Sequence, residues 1–280
     1  MTWPASVIAV LVGVFGLLVG SFLNVVIFRV PAGKSIVSPP SSCPGCGAPI
    51  RSFDNVPVLS WLILRGKCRD CRTRISVRYP LVELGTGLFF ALVTLRLLPD
   101  GRMNGSSPSA HGIAVVLTLI AFLYLAAISV ALALIDVDTH TLPNSIVLPS
   151  FVVGLALLGT AAVLGSDYGP LLRAAVGSAV LLLGYAALAF AYPGGMGLGD
   201  VKLAGVLGLF LGYLGWSQLI VGAFGAFLLG GVFSLGLLAL KRANRKSGIP
   251  FGPWMLGGAW MGVLVGAPIS LGYLALYGLA

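Results

Sequence analysis

The residues best suited to chemistry in this chain are its four cysteines and a few of its acids. Cys43-Pro-Gly-Cys46 and Cys68-Arg-Asp-Cys71 are two Cys-x-x-Cys pairs separated by 21 residues. This is the spacing of a four-thiolate zinc site, in which each pair makes a tight turn presenting two sulfurs to one ion. Pro44-Gly45 supplies one such turn, and the neighbouring Lys67, Arg69 and Arg72 are expected to help keep the thiols deprotonated. Four thiolates close the coordination shell, so Cys43, Cys46, Cys68 and Cys71 are expected to hold a structural Zn2+ and not a catalytic one. The segment has too few apolar residues to fold alone, so the metal is expected to supply its stability. Two disulfides are the competing arrangement. They need an oxidising compartment, whereas the charge pattern puts this loop in the reducing cytosol.

Only eight residues are Asp or Glu. A carboxylate within a membrane span costs ~2.5–3.5 kcal/mol on insertion scales, so the placing of each is informative. Asp136 follows the uncharged run Ile113–Ile135, and Asp200 closes Gly197-Leu198-Gly199-Asp200 and opens the next apolar run. Two carboxylates in one low-dielectric site share a proton. The charged member then activates a water while the protonated member donates to a scissile carbonyl, which is aspartyl protease chemistry. Gly194, Gly195, Gly197 and Gly199 can break a helix and let an extended substrate approach, and Pro143 and Pro193 stop helices beside the two acids. Against this, interfacial aspartates are ordinary in Gly/Pro loops, and a lone Gly-x-Gly-Asp is a weak signal. Asp138 competes with Asp136: two residues apart on a helix they point ~200° apart, so one site cannot use both, and composition does not choose.

The elements that must carry these groups are membrane helices. The 280 residues are 58% apolar and 9% charged, where a soluble domain carries roughly 25% charge. Soluble, disordered, fibrous and small disulfide-scaffold classes are thereby excluded. A bilayer core ~30 Å thick needs ~20 apolar helical residues. Spans are expected at Val7–Phe28, Pro80–Leu98, Ile113–Ile135, Ser145–Leu164 and Leu171–Ala191. Two more fit within Leu203–Leu240, turning near Gly212–Gln218, and one lies in Phe251–Ala280. The fold class is an all-α polytopic membrane protein of about eight transmembrane helices, with a zinc-binding cytoplasmic loop between helices 1 and 2. Arg29–Arg78 carries nine Lys/Arg against two acids and Lys241–Lys246 four more, while the loops Pro99–Gly112 and Gly165–Pro170 hold only Arg102. The basic segments therefore lie inside and both termini outside, with Asp136 and Asp200 at the cytoplasmic face. The net charge of +9 is a topology signal beside an anionic leaflet. The bilayer is the expected partner, and no nucleic acid is. The N-terminus lacks the basic n-region of a cleaved signal peptide.

Taken in order, these strings resemble the type IV prepilin peptidase family, the bifunctional leader peptidase/N-methyltransferases, over nearly the whole chain. The motifs are Gly20-Ser-Phe-Leu-Asn-Val-Val-Ile-Phe-Arg-Val-Pro31, the paired Cys-x-x-Cys around Asp54-Asn-Val-Pro-Val-Leu-Ser-Trp61, and Arg65-Gly-Lys-Cys68. They continue with Ile75-Ser-Val-Arg-Tyr-Pro-Leu-Val-Glu83, Ile135-Asp-Val-Asp138 leading to Leu142-Pro143, Gly-x-Gly-Asp running on as Asp200-Val-Lys-Leu203, and Ile249-Pro-Phe-Gly-Pro253. The resemblance implies that Asp136, seven residues before Pro143, and Asp200 are the catalytic pair. Asn144 departs from the Asp that many bacterial members carry there. Two reactions are implied: cleavage of the short basic leader of type IV prepilins or pseudopilins after a glycine, and methylation of the new N-terminal amine from S-adenosylmethionine. Both belong to the cytoplasmic face of a bacterial inner membrane.

The expected division is 1–28 as first helix, 29–79 as zinc loop associated with N-methylation, 80–112 as second helix and outer loop, and 113–280 as six-helix peptidase domain. The residues of the methyl-donor site are unknown from sequence. Glu83 and Asn24 are weak candidates, and each equally suits an interhelical hydrogen bond. His140 and His111 read as loop histidines, Lys202 as an interfacial lysine, and Met196, Trp216, Trp254 and Trp260 as packing or interfacial anchors. The alternatives are a protease-only member, or a small-solute transporter with a zinc module that uses the two aspartates as ion ligands. No inverted repeat supports the transporter.

Overall fold

The computed structural model describes residues 4–98, 110–192, 195–240 and 249–278. Pro193, Gly194, Arg102 and the basic run Lys241–Lys246 lie outside the described residues. Among the described residues nine α-helices follow in order: α1 Ala5–Arg29, α2 Leu59–Ile63, α3 Arg78–Leu97, α4 Ala110–Thr139, α5 Asn144–Leu164, α6 Gly169–Ala191, α7 Leu198–Leu214, α8 Trp216–Ala239 and α9 Gly252–Leu276. Among the described residues the only β-pairing is two isolated bridges in the loop between α1 and α3. Among the described residues seven helices are long and apolar enough to cross a membrane.

The sixth expected span, α7, has only 17 residues, about 25 Å at 1.5 Å per residue. Its chain turns at Gly215, where φ is +153°. Eleven of the 17 residues of α7 are buried, and it packs against α5, α6, α8 and α9. A helix apolar on every side belongs inside a bundle, and one wrapped in protein does not have to match the bilayer thickness.

The chain divides into two compact units, one of Met1–Asn104 with Leu123–Ala131, the other of Gly105–Phe122 with Leu132–Ala280. In the first, α1 lies along α3. A Cβ on Gly16 or Gly20 would come within 2.9 Å of Gly87 Cα or 2.7 Å of Glu83 Cα. Lipid gives apolar helices no reason to associate, so close backbone approach at small residues supplies the packing. In the second unit, α6 packs on α7 and α8 on α9 through the same device. Gly177 faces Gly208, and Gly258 faces Ala226.

Candidate active site and metal centre

The two Cys-x-x-Cys pairs form two copies of one turn. Cys43 N–H donates to Ala48 O and Gly47 N–H to Cys43 O, both at 2.9 Å; Cys68 N–H donates to Thr73 O at 2.9 Å and Arg72 N–H to Cys68 O at 3.1 Å. Each turn is closed by one isolated antiparallel bridge, Ser42 with Pro49 and Lys67 with Arg74. Four residues after each first cysteine the backbone is left-handed, at Gly47 (φ +72°) and Arg72 (φ +61°). All four sulfurs lie within 4.8 Å of one another. Cys43 Sγ and Cys71 Sγ are 3.7 Å apart, against about 3.8 Å for the edge of a zinc–thiolate tetrahedron with 2.3 Å bonds. The cluster can hold a metal ion.

The electrostatics differ from expectation in their source. Backbone N–H groups of Cys46 and Gly45 lower the Cys43 thiol, and hydrogen bonds from Thr73, side chain then backbone, bring Cys71 down to about 6. Arg69 does not serve the sulfurs, because its guanidinium clasps Asp54 with both arms, Nε to Oδ2 at 2.8 Å. Asp70 in turn faces Arg51 at 3.5 Å. The two residues inside the second Cys-x-x-Cys thus tie that turn to the short 3-10 turn Ser52–Asn55. Despite the Ala48 N–H, Cys46 is pushed up to about 12 by Cys71 and by burial. Four sulfurs this close cannot all be thiolates without a cation, and a divalent ion would supply the missing charge.

Glu83 and Asn24 both line the α1–α3 seam. Glu83 Oε2 accepts the Val58 N–H at 2.7 Å, and Asn24 Nδ2 donates to Tyr79 O at 3.2 Å. Each of these bonds ties its side chain to a backbone group. Val58 itself has φ +61°, which a β-branched residue adopts only when its surroundings force it. The buried carboxylate on its N–H is one such constraint.

In the second unit Asp136 is 4% exposed near the end of α4, while Asp138 and His140 are exposed. His140, with φ +53°, donates its N–H to Asp136 O at 2.8 Å and ends the helix. Asp136 Oδ2 accepts the Gly252 N–H at 3.0 Å. Gly252 and Pro253 are the first two residues of α9, so this N–H is one of the donors that a helix start leaves without an internal partner. A Cβ at position 252 would lie 2.6 Å from Asp136 Oδ2, and only glycine fits there.

Asp200 stands three residues past Gly197, the N-cap of α7, and its Oδ2 accepts the Gly197 N–H at 3.1 Å. Leu142 joins the two sites: it is the nearest side chain both to a Cβ built on Gly199 (3.0 Å) and, after Asp136, to one built on Gly252 (3.3 Å). Leu142 therefore borders both the Gly199–Asp200 helix start and the Gly252 N–H that holds Asp136. Tyr185 of α6 is buried against Phe227 and against Phe251, the residue before Gly252. Lys202 Nζ donates to Asn144 Oδ1 at 3.0 Å, so the lysine does not simply reach for solvent. Gly252 is the residue that sequence reasoning noticed without a role. Its signal was the Ile249–Pro253 string, a Gly-Pro helix start with no local purpose.

A multi-pass membrane chain with two acids gathered at helix ends and a four-cysteine loop is a recognisable class. Residues 14–97 match the bacterial peptidase A24 N-terminal domain, and residues 123–235 match the type IV leader peptidase family. Among curated relatives, the prepilin leader peptidase/N-methyltransferase of Aeromonas salmonicida (strain A449) is 34% identical over 95% of this chain and 93% of its own length. The proteins of the same name from Pseudomonas putida and Neisseria gonorrhoeae are each 35% identical, over 95% and 90% of this chain and 93% and 88% of theirs. The chain belongs to the type IV leader peptidase family. No solved structure matches it.

Proposed function

We propose that this chain removes the basic leader of type IV prepilins or pseudopilins and methylates the N-terminal amine so exposed, at the cytoplasmic face of a bacterial inner membrane. The observation that carries the peptidase half is the gathering of Asp136 and Asp200. Each has its Oδ2 held by a backbone N–H, which leaves Oδ1 for substrate or water. The charged member takes a proton from water as its oxygen attacks the scissile carbonyl carbon. The protonated member gives its proton to the carbonyl oxygen; on collapse of the tetrahedral adduct the acid that took the water's proton passes it to the departing nitrogen while the other carboxylate takes a hydroxyl proton back, so a neutral amine leaves and the pair is reset. A prepilin's apolar helix lies in the bilayer, so its leader junction arrives at the face where these helix ends lie.

Cys43, Cys46, Cys68 and Cys71 would hold a structural Zn2+ that fixes the two turns to each other. S-adenosylmethionine would supply the methyl group. Glu83 and Asn24, held in the α1–α3 seam by these bonds, are the candidates to border its site. The test is a cleavage assay on membranes containing a prepilin, comparing wild type with Asp136→Asn, Asp138→Asn and Asp200→Asn, with mass spectrometry of the product N-terminus. Loss of cleavage in the first and third alone is expected. Persistence in both would bring forward the transporter, with the aspartates as ion ligands.

A further inference from the structure

The segment 53–63, which sequence places in a water-exposed loop, is tied by a hydrogen bond to the loop-side ends of α1 and α3. Val58 donates its N–H to Glu83, and Glu83 packs against Gly20 of α1. Gly20 is nine residues before Arg29, the end of α1, which is roughly 13 Å along the helix axis. Glu83 is five residues into α3, roughly 7.5 Å from its start. Helical side chains lean toward the N-terminus, here toward the loop, so the carboxylate recovers about one turn of that depth. Val58 still lies beside the uncharged part of α1.

From Val58 the chain runs into α2, Leu59–Ile63. Ser60 and Trp61 face the protein: Ser60 Oγ donates to Phe53 O at 3.1 Å and Trp61 Nε1 to Ile75 O at 3.2 Å. The opposite face carries Leu59, Leu62 and Ile63, which are 57%, 56% and 75% exposed. The adjoining Phe53 is 60% exposed, with the guanidinium of Arg51 6.0 Å and that of Arg69 5.4 Å from its ring centre. Arg65 and Lys67, both exposed, follow directly. Aliphatic side chains, an aromatic ring and a basic rim on one short element are the makings of a headgroup–acyl boundary contact.

We propose that α2 is an interfacial anchor, with Leu59, Leu62 and Ile63 immersed in the loop-side leaflet and Arg65 and Lys67 among its anionic headgroups. The occupant of this face is lipid, because the hydrogen bond to Glu83 sets the depth and the rim matches an anionic surface in sign. The inference needs only that α1 and α3 span the membrane, and stands apart from the peptidase reading.

The full-length protein would be reconstituted in vesicles of phosphatidylethanolamine and phosphatidylglycerol, without prepilin. Ile63→Cys and Leu62→Cys are compared with Val37→Cys, a loop position 86% exposed, using a charged maleimide and wild type for the background of native thiols. Labelling at 63 and 62 is expected to be at least about tenfold slower than at 37, since a charged reagent does not enter the acyl region. A diazirine-bearing phosphatidylglycerol in the same vesicles is expected to leave adducts within 53–63. Equal labelling rates would overturn the proposal. Slow labelling without a lipid adduct would overturn it too, since protein then covers the face. Two positions are used so that one poorly folded variant does not decide the result.

Discussion

In the first unit four sulfurs come from two short turns, each closed by its own backbone hydrogen bonds within a few residues of its cysteines. In the second unit the acids stand at 136 and 200 on different helices, and the donor that fixes Asp136 is 116 residues away at Gly252. The metal centre is local, so its geometry survives as long as two turns and an ion are present. The carboxylate pair is distributed, so its geometry depends on α4, α7 and α9 being packed together. Damage should therefore stay confined in the first unit and spread in the second.

The largest effect is expected at the pair itself. Asp136→Asn or Asp200→Asn should lower cleavage by at least about 10²–10⁴-fold, the range for losing a general acid or base, while metal content by mass spectrometry stays at wild-type level. Loss of metal in these variants would break the comparison. Removing the ion, by chelation or Cys46→Ser, is the converse. Amide protection at Cys43, Ile50, Cys68 and Ile75 should collapse, because a metal-dependent segment without its metal loses the free energy that folds it. Cleavage should persist in the same preparation and N-methylation should be lost; unchanged methylation would show that the cysteine loop does not serve methyl transfer.

Gly252→Ala sharpens the contrast, because it disturbs the pair without touching either acid. The added methyl displaces Asp136 Oδ2, and an ångström of misplacement is worth up to about 10²-fold. A fall in kcat of roughly 10–100-fold with KM unchanged is expected, and a rise in KM alone would show that Gly252 serves substrate binding instead. The smallest effect is at Asp54, whose carboxyl is held below the ordinary range by its hydrogen bonds to Arg69. A carboxylate lowered on folding stabilises above its unfolded value and loses that contribution as pH falls through the folded value. Wild type should therefore release metal faster below about pH 4, and Asp54→Asn should show less of this acid dependence. At neutral pH its release rate should rise by no more than about threefold, as befits an exposed pair. A larger change would mean that the local site is less self-contained than its turns suggest.

The same contrast explains what was legible in the sequence. Cys-x-x-Cys spacing encodes a turn directly, so the cluster could be read without knowing any helix packing. Long uncharged runs gave the membrane helices, because the bilayer imposes one length on whatever faces it. The true nature of α7 was hidden, since Leu203–Leu240 reads as one apolar stretch and burial on all sides leaves no periodicity. Asp136 could not be separated from Asp138 by composition. Packing separates them, one buried on Gly252 and the other exposed. Glu83 advertised itself as a costly acid in a span, but its partner is a backbone N–H, which no sequence pattern marks.

The bond from Gly252 to Asp136 also has a bearing on biosynthesis. Residues 136 and 200 leave the ribosome well before residue 252 does, so a growing chain holds both acids before it holds the N–H that orients one of them. Activity should therefore switch on only when the last helix is inserted. Chains released after residue 240 should be inert toward prepilin and should regain cleavage when 249–280 is supplied as a separate membrane segment. Such an order of assembly would keep a half-made protease from cutting at the translocon.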